Sequence, residues 1–254
     1  MPAKSPHAAS LRLRLLGVGG VAIILAGWAI ASLAAGSYFV PAPWTTLADT
    51  ALLLARRFTW SQILITFLRV CAGFLGGFAT GAAAGIAMGA NRDLDALFKP
   101  LVLFFQGMPP LLWAIPLVAL MGIGHLPTII VIGLITFPLV AVTVGEGMST
   151  LPRAYGEMLA LFAPGFIPRM RELVLPHLAP FLAAGVKAGL VLAVKASVTA
   201  EYFGANDGIG FQIQAAYMSM RIRNLFSWAA VLILIISIIV TTFAVHFLRN
   251  IENE

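Results

Sequence analysis

Ionisable side chains are scarce in this chain, and their spacing limits the chemistry open to them. His7, His125, His177 and His246 lie near the ends of different apolar runs with no metal-ligand spacing among them, so no metal site is expected. Cys71 is the single cysteine and sits in an apolar run, which excludes an intrachain disulfide and leaves a packing role. No G-x-x-x-x-G-K-[ST] run occurs to cradle a nucleotide, and Gly208-Ile209-Gly210 follows an apolar run where a dinucleotide loop would follow a strand of a βαβ unit. No cofactor is implied. No apolar run pairs two carboxylates: Glu201, with Glu146 at a boundary, is the only acid near one. That leaves Arg69, Lys187 and Lys195, cations embedded in apolar sequence, where a charge is costly and faces protein or water. Two readings fit the lysines. Either Lys187 pairs with backbone carbonyls and Lys195 reaches toward Glu201, or both border a path that tolerates small anions.

The elements that position these groups are membrane spans. The chain has 254 residues, 60% hydrophobic and 10% charged, with a mean hydropathy of +0.96, too few polar residues to cover a water-soluble surface. Several runs reach the roughly 20 residues needed to cross a bilayer as a helix, and the ten-residue alternation of a membrane barrel is absent. The expected fold is all-α, a bundle of about six transmembrane helices. Its net charge of +6 is spread between apolar runs instead of forming one stripe, which argues against nucleic acid and for topology signals.

Residues 1–14, with Lys4, Arg12 and Arg14, read as a cytoplasmic N-terminus. The following run to about Gly36 exceeds the length of a signal-peptide core, so it is read as a retained first helix. Pro41-Ala42-Pro43-Trp44 breaks the helix outside the membrane. The second span, about 62–90, carries Gly73, Gly77, Gly81, Gly85 and Gly89, small residues every fourth position along one face. Such a ladder lets another helix approach closely, within the chain by preference and otherwise across a dimer seam. Arg69, one turn before the ladder, is expected to snorkel. After a turn at 91–99, the third span contains Pro109, Pro110 and Pro116. It is a wall of the path or a kinked packing helix. A fourth span runs to about Val144, a fifth from about Leu178 to Ala200, an external segment covers 201–224, and a sixth span reaches 248 before a cytoplasmic tail, 249–254. Nine basic residues then fall inside (Lys4, Arg12, Arg14, Arg92, Lys99, Arg153, Arg169, Arg171, Arg249) against Arg56, Arg57, Arg221 and Arg223 outside.

The stretch 146–177 is the long polar-bearing interruption. Between Arg153 and Leu175 it is too charged to span and too apolar to float free, with Met158, Leu159, Leu161, Phe162, Phe166, Ile167 and Met170 in need of a partner. Pro164 and Pro168 divide it into two short helices, and Glu157 lies near the first helix's start, where a carboxylate suits the dipole. On physics alone it is either a helix docked in a partner's groove or a hairpin on the membrane surface.

Tyr155, Glu157, Ala160, Arg169, Arg171, Leu175 and Pro176 fall in an order that resembles the EAA coupling loop of binding-protein-dependent ABC importer permeases. Ala163 stands where that family has glycine, with Gly165 close enough to supply a left-handed residue. Pro41-Ala42-Pro43, Arg69 with Gly73, the proline-rich 109–117, and Ala200-Glu201, Gly204-Ala205 and Gly208-Ile209-Gly210 resemble the nitrate, sulfonate and taurine branch. One departure is Val194-Lys195, near where that branch often has a tryptophan.

The resemblance implies a type I, MetI-like permease with no enzymatic activity of its own. Its expected partners are a second permease subunit as a homodimer, two cytoplasmic ATPases, an external solute-binding protein and the lipid of the inner membrane. Tyr155, Glu157, Ala160, Ala163, Gly165, Arg169, Leu175 and Pro176 would couple to the ATPases, while Pro109, Pro110, Pro116, Lys187, Lys195 and Glu201 are candidates for the path or gate. The rival reading is a self-sufficient secondary transporter, against which stands the lack of paired mid-membrane carboxylates.

Overall fold

In the computed structural model, residues 6–152, 154–155 and 165–251 are described, and among these every regular element is helical. The chain divides into two compact units, residues 1–59 with 213–231 and residues 60–212 with 232–254. Among the described residues five helices are long and apolar enough to cross a membrane, and a sixth span results if one sharply bent pair is counted together.

In the first unit, α1 (Pro6–Ala35) ends at Gly36, whose φ of +85° favours a residue without Cβ, and α2 (Pro43–Leu54) starts with proline at its first position, where no backbone N–H is needed. The Trp28 indole donates to the Pro41 carbonyl at 3.0 Å and its ring stacks on Phe226 at 6.1 Å. Arg223 grips Asp49 through two bonds of 2.8 Å. The outward side chains of α1, among them Ile23, Ile24, Ile30 and Leu33, are exposed, as lipid-facing residues are.

The second unit is organised by a parallel pair. Helix α3 (Arg57–Ala90) enters it at Trp60 and lies against α6 (His125–Ser149), and the glycine ladder is the seam. A Cβ on Gly73, Gly77, Gly81, Gly85 or Gly89 would lie 2.6–2.7 Å from the carbonyl oxygen of Ile129, Gly133, Phe137, Ala141 or Gly145 respectively. The partner number rises by four as the ladder number rises by four, so the two helices run in the same direction. On the other side of the seam, Gly133 and Gly145 face the backbone of Gly73 and Gly85. Lipid supplies no hydrophobic drive between helices, so close backbone contact of this kind is what holds them together.

Helix α4 (Arg92–Gly107) begins where a turn is expected from sequence: the Asn91 carboxamide oxygen accepts from Asp93 N at 2.8 Å, and Asp93 and Asp95 occupy the first turn, so cap and dipole both favour helix. The third span is likewise not one rod. Pro109 forces Met108 into extended backbone, and α5 (Pro110–Met121) leaves at 92° to α4. Phe105 and Trp113 stack across the break at 5.0 Å.

Beyond the fourth span, α7 (Phe166–Arg169) runs through a π turn (Met170–Val174) straight into α8 (Leu175–Gly204), so the second half of the loop is continuous with the fifth span. Helices α9 (Ile209–Met218) and α10 (Ile222–Ile251) follow, so the stretch assigned to an external segment contains the end of α8 and a whole helix. The core of the second unit lies between α3, α6 and α8: Val70, Phe74, Ile132, Ala193 and Val194 in one cluster, Val140, Val144, Val174 and Leu178 in the next.

Candidate functional site

Two turns of α3 place Gln62, Thr66 and Arg69 on one face, and that face meets the end of α8. Glu201, the last charged residue of α8, is fully buried there and Arg69 is 3% exposed. Arg69 Nη1 donates to Glu201 Oε1 at 3.0 Å and to the Asp207 carbonyl at 2.9 Å, Nη2 donates to the Asp207 carboxylate, and Nε donates to His125 Nδ1 at 3.1 Å. Because guanidinium has no acceptor, His125 Nδ1 is the acceptor and its proton sits on Nε2. The Arg69 head is therefore inside the protein; the snorkelling expected of it does not occur, because two carboxylates and an imidazole are brought to it.

The same cluster satisfies a helix start. Gly208 N donates to Gln62 Oε1 at 2.7 Å, Ile209 N to Thr66 Oγ1 at 2.8 Å and Gly210 N to Glu201 Oε2 at 2.9 Å, while the Thr66 hydroxyl donates to Glu201 Oε2 at 2.9 Å. Three N–H groups that α9 leaves open are thus bound by side chains of α3 and α8. Gly208 has φ +94°, and a Cβ there would meet the Glu201 carboxylate at about 2.5 Å; a Cβ on Gly210 would meet the Val198 carbonyl. The glycines of Gly208-Ile209-Gly210 thus let backbone close over a carboxylate, not over a phosphate. Gly124 N donating to the Gly204 carbonyl at 2.8 Å ties in the turn before α6.

At the opposite end of the α3–α6 seam a cavity of about 840 Å³ opens, with Arg92, Asp95, Lys99, Glu146 and Arg169 among its lining residues. Met88, Gly89, Gly145 and Met148 form its inner wall. Lys99 pairs with Asp95 at 3.5 Å. Of the predicted coupling residues that are described, Arg169 lines this space, beside Glu146, Leu151 and Pro152 from the start of the same loop. Tyr155, Gly165, Leu175 and Pro176 are exposed, and Glu157, Ala160 and Ala163 lie outside the described residues.

The remaining predicted residues fall on two further surfaces. Pro109 and Pro110 make the α4–α5 break and Pro116 lies inside α5. Lys187 and Lys195 are exposed on α8, remote in role from Glu201, whose acceptors go to Arg69, Thr66 and Gly210. From Pro176 to Tyr202, α8 has no exposed large hydrophobic side chain; its exposed residues are Pro176, Ala179, Pro180, Ala183, Ala184, Lys187, Ala188 and Lys195. By contrast α3 exposes Leu64, Phe67, Leu68 and Leu75, and α10 exposes Ile233, Leu234 and Ile238. Sequence reading missed Gln62, Thr66, His125 and Asp207. The polar spacing of Gln62, Thr66 and Arg69 at i, i+4 and i+7 in an apolar helix was the available signal. Among the described residues no group of three or more His, Cys, Asp or Glu side chains could hold a metal ion.

Residues 73–252 match the family described as "Binding-protein-dependent transport system inner membrane component", more than two thirds of the chain. The chain belongs to this family. Similar proteins bear the same stamp: a probable ABC transporter permease protein of Brucella melitensis is 29% identical over 85% of this chain and 89% of its own length. The taurine transport system permease protein TauC of Escherichia coli is 24% identical over 79% and 76%, and the nitrate import permease protein NrtB of Synechococcus elongatus 25% identical over 77% and 74%. In structure the permease resembles a chain of the MetNI methionine ABC transporter in an inward-facing conformation, with a TM-score of 0.62, 21% identity, and coverage of 76% of this chain and 94% of that one. That likeness gives the fold, the type I importer architecture; membership of the family makes the chain a multi-pass inner-membrane transport component.

Proposed function

We propose that the permease forms, with a second identical copy, the path by which a small anionic or zwitterionic solute enters the cell, and that the exposed face of α8 walls this path. The observation that carries the reading is the composition of that face. At membrane depth a lipid-facing surface is covered by large apolar side chains, as on α3 and α10, whereas α8 between Pro176 and Tyr202 offers alanine, proline and two lysines. A face of this kind suits water or another protein chain. Lys187 and Lys195 give it positive charge, and the printed names of similar permeases include taurine, nitrate and, for CmpB of Synechococcus elongatus, bicarbonate. The proline break at α4–α5 supplies a second flexible wall.

In this reading ATP is hydrolysed by two separate cytoplasmic subunits that dock on 146–177, with Tyr155, Glu157, Ala160, Ala163, Gly165, Arg169, Leu175 and Pro176 as the contact set. An external binding protein delivers the solute and both termini are cytoplasmic. ATP and binding protein each bias one inward–outward equilibrium through contacts that differ between its states. The permease needs little selectivity of its own if the binding protein discriminates.

The experiment is purification of the tagged permease from its native membrane, followed by reconstitution and uptake of labelled taurine, nitrate and bicarbonate. An ATPase should co-purify, uptake should require ATP, and Glu157→Lys should lose both partner and uptake while reaching the membrane in normal amount. Uptake driven by an ion gradient with no ATPase bound would make the protein a secondary transporter instead.

A further inference from the structure

The clamp around Arg69 has no place in the transport reading so far, and its geometry assigns it one. We infer that Arg69 is a positioning residue: with Glu201 it fastens the 205–212 segment to α3, α6 and α8, so that these parts move as one body while access alternates elsewhere. The inference rests on the permease reading above.

Three observations carry it. The first is saturation. Arg69 makes five hydrogen bonds to four acceptor atoms, and both Glu201 oxygens are used, one by Arg69 and the other by Thr66 and Gly210. A gate that opens each cycle must expose its charges to water or re-pair them, and the described residues offer no second partner set here: Asp207 and Glu201 are the carboxylates in ion-pair reach of Arg69. The second is burial. Thr66, Arg69 and Glu201 are all below 5% exposure, so the charged centre of the clamp is closed off and only its outer members, His125 and Asp207, reach the surface. The third is backbone closure: a methyl group on Gly208 or Gly210 has no room, and the segment cannot slide over α8 without first lifting away. By contrast the second unit has two natural places to bend, the 92° break at Met108–Pro109 and the π turn at Met170–Val174. Neither is bridged by the clamp, and both sit where an α-helical hydrogen-bond ladder is already interrupted.

The test uses the complete reconstituted complex and MgATP as its only probe, so the solute need not be known. In a Cys71→Ala background, Gln62→Cys and Gln212→Cys put thiols where the Gln212 amide now donates to Gln62 Oε1 at 3.3 Å, and a short bifunctional thiosulfonate links α3 to the 205–212 segment reversibly. If the clamp stays shut, ATP turnover after linking should remain within about twofold of the same protein reduced, whereas an element that must move loses its cycle when tied. Arg69→Lys keeps the charge but not the fork, and should lower turnover roughly tenfold per complex in the membrane, within the range of a typical coupling energy. Linking should then restore most of that loss, a rescue that a role in stability alone gives only by raising the amount of protein, which is normalised out.

Reversible block on linking would make the clamp a gate and overturn the inference. So would full turnover in Arg69→Lys, or a loss that linking does not repair. If Arg69→Lys fails to reach the membrane, the linked protein with Arg69 intact still decides between clamp and gate. Failure of any ATPase to co-purify would instead remove the permease reading itself.

Discussion

Glu201 accepts from a guanidinium, a hydroxyl and a backbone amide, with no exposure to solvent. Removing it leaves a buried guanidinium with the part-exposed Asp207 as its remaining carboxylate and strands two further donors, so Glu201→Ala should destabilise the permease by roughly 3 kcal/mol, the lower end for a broken buried ion pair. Asp207→Ala, at a partner 33% exposed, should cost less because water can replace it. Thermal unfolding in detergent checks the order, and equal melting temperatures for the two variants would contradict it. Lys195 is the opposite case, an exposed cation on a face without bulky apolar cover. Lys195→Gln should slow uptake of labelled nitrate by about tenfold, the lower end of what a focused field gives an ion's entry rate, and leave stability unchanged. At this scale the sequence was only half legible. Arg69 and Glu201 are conspicuous as charges in apolar surroundings, yet they are 132 positions apart, and nothing in the spacing of one shows that the other completes it. His125 and Asp207 looked like ordinary helix-end residues because their role exists only once Arg69 arrives.

The glycine ladder was the most legible element, since a small residue every fourth position defines one face of a helix whatever it packs against. Its partner was not legible: α6 offers Gly133 and Gly145 but also Phe137 and Ala141, and the match lies in carbonyl oxygens that have no side-chain signature. Gly81→Leu drives a side chain into the Phe137 carbonyl and the Val140 side chain, whereas Ala83 is exposed. The first substitution should lower stability by at least about 1–3 kcal/mol, as overpacking does, and the second by less than about 0.5. A shared melting temperature would mean that α3 and α6 part easily. The prolines of the third span announced a kink but not its angle, which is 92° at the α4–α5 break, with Phe105 and Trp113 stacked across it.

For the molecule as a whole, the proposed six-span topology would put both ends of the chain on one side, and charge indicates which. Nine Lys or Arg residues belong to segments that share a side with the termini, and four arginines belong to segments on the other, a bias that orients inner-membrane proteins with the richer side in the cytoplasm. Asp49 offsets Arg223 on the poorer side through two bonds of 2.8 Å, which lowers its effective positive charge further. The orientation matters mechanically. On the proposed orientation the cavity that holds Arg92, Lys99, Glu146 and Arg169, together with the 146–177 loop, would face the ATPases, and the Arg69 clamp would face the binding protein. A fluorescent protein fused after Glu254 should therefore glow, and alkaline phosphatase inserted after Gly36, in the break between α1 and α2, should be active. Arg56→Glu together with Arg57→Glu should leave both signals unchanged, because acidic residues count little and the inside excess is already large. The reverse pair of signals in the unmodified chain would invert the assignment, place the loop outside, and leave the proposed ATPase contacts with no nucleotide to serve.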